Sequence, residues 1–129
     1  MATLFTQIVE GKIPCHKIAE NDEFLAFLDI SPLATGHTLV IPKKEVDYFF
    51  DLDDDLLSKI NLFAKEVATQ IKAAIHCKRI GVAIIGLEVP HAHVHLVPLQ
   101  QVSDINFERS KMVVSQEELA LTAEKIRTA

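Results

Sequence analysis

The chain has 129 residues, of which 49% are hydrophobic and 24% charged, with four glycines, five prolines and a formal net charge of −5. That length holds one domain with a real core and is short for two. The composition excludes a disordered or low-complexity chain, and the mild acidity argues against broad binding to nucleic acid or to an anionic membrane surface while leaving room for a small anionic ligand. Cys15 and Cys77 stand alone rather than as a C-x-x-C pair, which favours reduced thiols over the one possible disulfide. The opening "MATLFTQIVEGKIP" has no basic segment leading into a long apolar run. No stretch approaches the ~20 apolar residues of a membrane span. The expectation is one soluble, cytoplasmic domain over residues 1–129.

Residues 3–10, "TLFTQIVE", read as a short helix with Thr3 as its cap and Gly11 as the left-handed residue after it. "HKIAEND" and "EFLAFLD" read as two strands around an Asn21-Asp22 turn. "SPLATG" is a loop, and "HTLVIP" (37–42) is a buried strand stopped by Pro42. From Asp53 to about His76, Leu56, Ile60, Phe63, Val67, Ile71 and Ala74 fall in steps of three and four, the stripe of one long helix. Asp53, Asp54 and Asp55 lie in its first turn, where negative charge meets the positive end of the helix dipole, so they read as capping rather than as a metal site. "IGVAII" (80–85) and "HAHVHLVP" (91–98) are expected to form a hairpin across a tight Gly86–Pro90 link. A polar loop (100–114) then leads to a helix whose Ser115 and Glu118 have capping-box spacing. Strands followed by a long helix, more strands and another helix make an α+β domain with an antiparallel sheet.

Three histidines alternate in "HAHVHLVP": His91, His93 and His95. Side chains on a strand alternate faces, so the three share one face while Ala92, Val94 and Leu96 point into the core. Burying three imidazoles side by side is costly unless each has partners. Two chemistries suit the row. Histidines two apart on a strand can hold one zinc through Nε2, leaving a position for water, although no obvious carboxylate is at hand to orient them. Alternatively, a neutral imidazole attacks phosphorus, a second donates to the phosphate and leaving group, and a third orients the first. The near-neutral pKa of imidazole suits this division of labour.

The signature His-φ-His-φ-His-φ-φ, here "HAHVHLV", resembles the histidine triad (HIT) family of nucleotide-binding hydrolases and transferases. "GKIP", "FLDISPLATGHTLVIPKK" and "GLEVPHAHVH" are similar to family blocks in order and spacing, over about residues 3–98, and are closest to the Hint-like branch. The resemblance implies a half-barrel α+β protomer with one long central helix and short terminal helices, to which 99–129 add a loop and a helix. It implies a homodimer, no metal and no cofactor. The substrate would be a purine nucleotide such as an AMP derivative, a nucleoside phosphoramidate or a relative of one, cleaved at its α-phosphate. His93 would be the nucleophile that carries the nucleotide, His95 would contact phosphate and leaving group, and His91 would hold His93 in its working tautomer. His37 would complete the relay. Asp29 would grip the ribose hydroxyls, Phe27, Ile30 and Leu39 would line the base pocket, and Gly86, Glu88 and Val89 would border the phosphate.

The sequence departs from the family pattern in the link "GLEVP", where Leu87 stands at a usual Gln and Glu88 near a usual Ser or Thr. Ala83 occupies the place of an Asn and Leu99 that of an Arg. Some relatives bind a structural zinc through an N-terminal C-x-x-C. Thr3 and Thr6 stand at those positions, which predicts no such zinc. The alternatives to an enzyme of this kind are a non-catalytic nucleotide-binding module and a zinc-dependent hydrolase.

Overall fold

The structure is a computed structural model that describes residues 2–129. The first helix, α1 (Leu4–Val9), is capped by the Thr3 side chain, which accepts the Thr6 amide, and Gly11 follows at φ 78°. Strands β1 (Lys17–Glu20), β2 (Phe24–Leu28) and β3 (Thr38–Pro42) come next, then the long helix α2 (Asp54–Ala74). Strands β4 (Arg79–Ala83) and β5 (Val94–Leu99) precede the final helix α3 (Gln116–Arg127). The strands form one sheet in the order β1-β2-β3-β5-β4, with every neighbouring pair antiparallel. This is the expected α+β architecture.

Period-two alternation sorts the strand residues onto two faces. Phe24, Ala26, Leu28, Val40, Val94 and Leu96 join Ile60, Phe63, Val67 and Ile71 of α2 and Leu119, Ala123 and Ile126 of α3 in the main core. Fully burying each large aliphatic side chain here contributes about 1.5–3 kcal/mol. The alternate residues Leu25, Phe27, Leu39 and Ile41 form a smaller cluster with Phe5 of α1 on the other face. Asp53 caps α2 by accepting the Leu56 amide, and Ser115 caps α3 by accepting that of Glu118. The acidic first turn of α2 is thus a cap, as its position suggests.

One expectation needs correction. The strand read as 91–98 joins the ladder only at Val94, and β4 ends at Ala83, so ten residues, Ile84–His93, connect the two strands. The reason lies in where the backbone hydrogen bonds go. The His91 amide donates to the Val89 carbonyl and the Ala92 amide to the Val46 carbonyl, both outside the sheet. The alternation of side chains persists through this extended stretch without sheet pairing.

Candidate active site

The four expected histidines meet at the α1 face of the sheet. His95 lies on β5 and pairs with Leu39 on one side and Ala83 on the other. His37 immediately precedes β3. The loop before it turns through Gly36 at φ 92°, a conformation that suits glycine; a Cβ there would sit 3.1 Å from Ile75 Cγ1 of the main core. His37, His91, His93 and His95 are all buried. The His93 and His95 rings have centroids 4.9 Å apart, and the Phe5 ring stands edge-on to His93 at 5.1 Å.

Hydrogen bonds fix which nitrogen of each ring carries the proton. His93 Nδ1 lies 2.7 Å from the His91 carbonyl oxygen. A carbonyl only accepts, so Nδ1 carries the hydrogen and His93 Nε2 keeps a lone pair. The Leu33 amide donates to His37 Nδ1 at 3.0 Å, which leaves the His37 hydrogen on Nε2. That Nε2–H meets His95 Nδ1 at 3.0 Å. His95 Nδ1 therefore accepts, and the hydrogen of neutral His95 is on Nε2. The pair presents one basic nitrogen, on His93, beside one N–H donor, on His95. His91 faces elsewhere: its Nε2 donates to the Pro42 carbonyl at 2.8 Å and its Nδ1 lies 2.9 Å from Thr3 Oγ1. The group that fixes the tautomer of His93 is thus the main-chain carbonyl of His91.

Burial keeps three of these imidazoles neutral. Desolvation, with smaller contributions from the neighbouring His93 and His37 imidazoles, which cannot share a second charge, and from Lys111, lowers His95 to about 3. Desolvation, with Lys111, lowers His37 to about 4. His91 is also lowered, again chiefly by desolvation, against the opposing effects of the Pro42 carbonyl and Glu45.

Asp29 directly follows β2 beside this group. Its Oδ1 accepts the Ser31 amide at 2.9 Å and its Oδ2 lies 3.7 Å from His37 Nε2. Burial raises its carboxyl above the usual range, partly offset by the Ser31 amide. Phe27 and Leu39 lie in the cluster under α1, with Val89 packed against them. Ile30 is 62% exposed at the rim. Gly86, at φ 72°, and Glu88 are exposed in the Ile84–His93 link and touch none of the histidines through hydrogen bonds.

A HIT domain family model matches residues 10–102. The chain is 41% identical over 100 residues to an uncharacterized HIT-like protein of Mycoplasma genitalium, covering 74% of this chain and 71% of that one. It is 37% identical over 99 residues to the adenosine 5'-monophosphoramidase hnt1 of Schizosaccharomyces pombe, covering 76% and 74%. The crystal structure of a Hit-like protein from Bartonella henselae superposes with a TM-score of 0.85 at 30% identity, covering 98% of this chain and 95% of that one. The chain belongs to the HIT family.

Two places in this HIT domain bear on metal binding. Ligand atoms of Asp29, His37 and His95 lie within 4.8 Å of one another. However, the Leu33 amide occupies the His37 Nδ1 lone pair and leaves Nε2 protonated. A metal on Nε2 would require the imidazolate, or loss of the bonds to both Leu33 and His95. At the N-terminus, the Thr3 and Thr6 hydroxyls replace the soft thiolates that zinc favours, and both are already engaged, with His91 and Glu45. Neither set fits a zinc ion.

Residues 100–114 supply side chains that the sequence did not single out. The Phe107 ring packs against His95 at 4.6 Å and His37 at 6.1 Å. The Met112 amide and the Arg109 guanidinium hold this segment to the Pro32 and Leu33 carbonyls. The Lys111 charge is felt by Asp29, His37 and His95. A lone phenylalanine in a polar loop was the available signal for this contact.

Proposed function

We propose that this HIT protein is a nucleotide hydrolase or nucleotidyl transferase that acts on the α-phosphate of a purine nucleoside phosphoramidate, or a related nucleotide, through a covalent His93–nucleotide intermediate. One observation carries the reading: the His91 carbonyl fixes the hydrogen of His93 on Nδ1, so Nε2 offers a lone pair beside the His95 Nε2–H. His93 Nε2 attacks phosphorus and the bond to the leaving amine breaks. The imidazole becomes cationic, and its Nδ1–H remains on the His91 carbonyl, which stabilises that charge. His95 Nε2–H hydrogen-bonds the phosphate and the departing nitrogen, and the amine takes the proton it leaves with from solvent water. Water then attacks phosphorus, the P–N bond to His93 breaks, and the water returns the proton taken by the amine. Neutral His37 keeps His95 in the donor tautomer.

In this reading Asp29 accepts the ribose hydroxyls, Phe27, Ile30 and Leu39 contact the base, and Val89 borders the phosphate side of the same cluster. Gly86 and Glu88 border the phosphate, where the Glu88 charge opposes the nucleotide. A homodimer joined along β4 belongs to the same reading. β4 is an edge strand, and Val82, with Ile84, Ile85 and Leu87 just beyond it, is exposed.

Brief incubation with adenosine 5'-monophosphoramidate followed by a denaturing quench at alkaline pH, where a P–N bond to histidine survives, and mass spectrometry tests the proposal. The expected result is one added AMP on His93. No adduct and no AMP release over a panel of nucleotide amidates and esters, with His93→Ala indistinguishable from the parent, leaves a non-catalytic nucleotide-binding module.

A further inference from the structure

Because β5 begins only at Val94, sheet pairing does not hold the backbone at His91 and His93. The Ala92 amide's bond to the Val46 carbonyl holds the His91–Ala92 peptide, and side chains from the start of α1 and the segment after β3 hold the His91 ring. The Thr6 hydroxyl donates to Glu45 Oε1 at 2.6 Å, and the Thr3 amide donates to the same oxygen at 2.9 Å. The Thr6 proton is therefore committed to Glu45. His91 has given its own hydrogen to the Pro42 carbonyl, so its Nδ1 needs a donor. The Thr3 hydroxyl, 2.9 Å away, is that donor, while its oxygen accepts the Thr6 amide at 3.0 Å. The longer alternatives, Thr3 Oγ1 to Thr6 Oγ1 at 3.2 Å and Thr6 Oγ1 to His91 Nδ1 at 3.3 Å, give way to these shorter bonds, and the network ends at the His91 residue whose carbonyl receives His93 Nδ1–H.

We propose that Thr3 is a positioning residue for the nucleophile: its hydroxyl, clamped through Glu45 and Thr6, holds His91 so that the His91 carbonyl keeps His93 in the tautomer with Nε2 free. The inference rests on the reading of His93 as the attacking group.

Imidazole 15N NMR of the free protein reads ring tautomers without any substrate, so it separates this inference from the proposed activity. In the parent, His93 is expected as a single tautomer protonated at Nδ1. Thr3→Val is expected to average the His93 shifts between tautomers and lower kcat about tenfold, the worth of one directing hydrogen bond, with KM within about twofold. Thr3→Ser, which restores the hydroxyl, is expected to recover both. An unchanged His93 tautomer in Thr3→Val, or a Thr3→Ser variant that behaves like Thr3→Val, overturns the proposal. If Thr3→Val does not fold, Glu45→Ala retains the Thr3 cap but frees the start of α1. Averaged His93 shifts in that variant support the proposal, and parental shifts overturn it. A parent with the single tautomer but no turnover refutes only the function proposed above.

Discussion

The two faces of the sheet are both buried, yet they are built from different materials. The α2–α3 face is an apolar cluster from Ile18 to Ile126, held by non-directional burial. The α1 face sets five apolar residues beside four buried imidazoles, each held by a specific donor or acceptor. The first face tolerates changes that keep shape and volume. The second tolerates few changes of proton position, because an imidazole with its hydrogen on the wrong nitrogen cannot make these contacts. Stability and chemistry are thereby separated by the thickness of one sheet.

The sharpest test of that separation is His93→Ala. Turnover is expected to fall by at least about 10³-fold, while the urea midpoint stays near that of the parent. A drop in midpoint as large as that of a core truncation would break the comparison. The reverse experiment is Ile71→Ala, in the centre of the apolar face. It is expected to cost about 2–5 kcal/mol in urea unfolding and leave kcat per folded molecule unchanged.

Acid should act through the histidine face. His37 and His95 are held at about 4 and about 3 in the folded protein, against about 6.5 for an unfolded imidazole. Between those values the unfolded chain binds protons that the folded one refuses. Their contribution is complete above about pH 6.5 and is lost progressively as the pH falls through about 4 for His37 and about 3 for His95, on the order of a few kcal/mol in all. Urea titrations from pH 7 to 4 should show this loss, and His37→Asn should flatten it. The smallest expected effect belongs to Phe107→Ala. Wetting His95 should raise its pKa towards the ordinary value in an NMR titration and lower kcat/KM by about three- to tenfold.

Much of the fold was legible from periodicity. The stripe from Leu56 to Ala74 identified α2, and the alternation of Ala92, Val94 and Leu96 with the histidines identified both faces of the triad segment. The start of β5 was not legible, because an extended chain alternates whether or not it pairs, and the acceptors of the His91 and Ala92 amides, at Val89 and Val46, leave no mark in composition. The four histidines were nameable from their spacing and family blocks, yet the role of the His91 carbonyl was hidden, since main-chain geometry has no residue signature. The contact of Phe107 with His95 spans a polar loop, and only the folded chain brings the two rings together.

Three of the ring nitrogens at the site are set by main-chain partners: the Leu33 amide, the Pro42 carbonyl and the His91 carbonyl. Any amino acid other than proline supplies the amide at position 33, and any amino acid at all supplies the carbonyls at 42 and 91. The protonation pattern is therefore inherited with the path of the chain and is insulated from drift in side-chain identity at positions 33 and 42. Lineages sharing this fold can exchange residues 33 and 42 without rewriting the acid–base state of the site. The joint at Thr3 lacks that insulation, since it is written in a side chain.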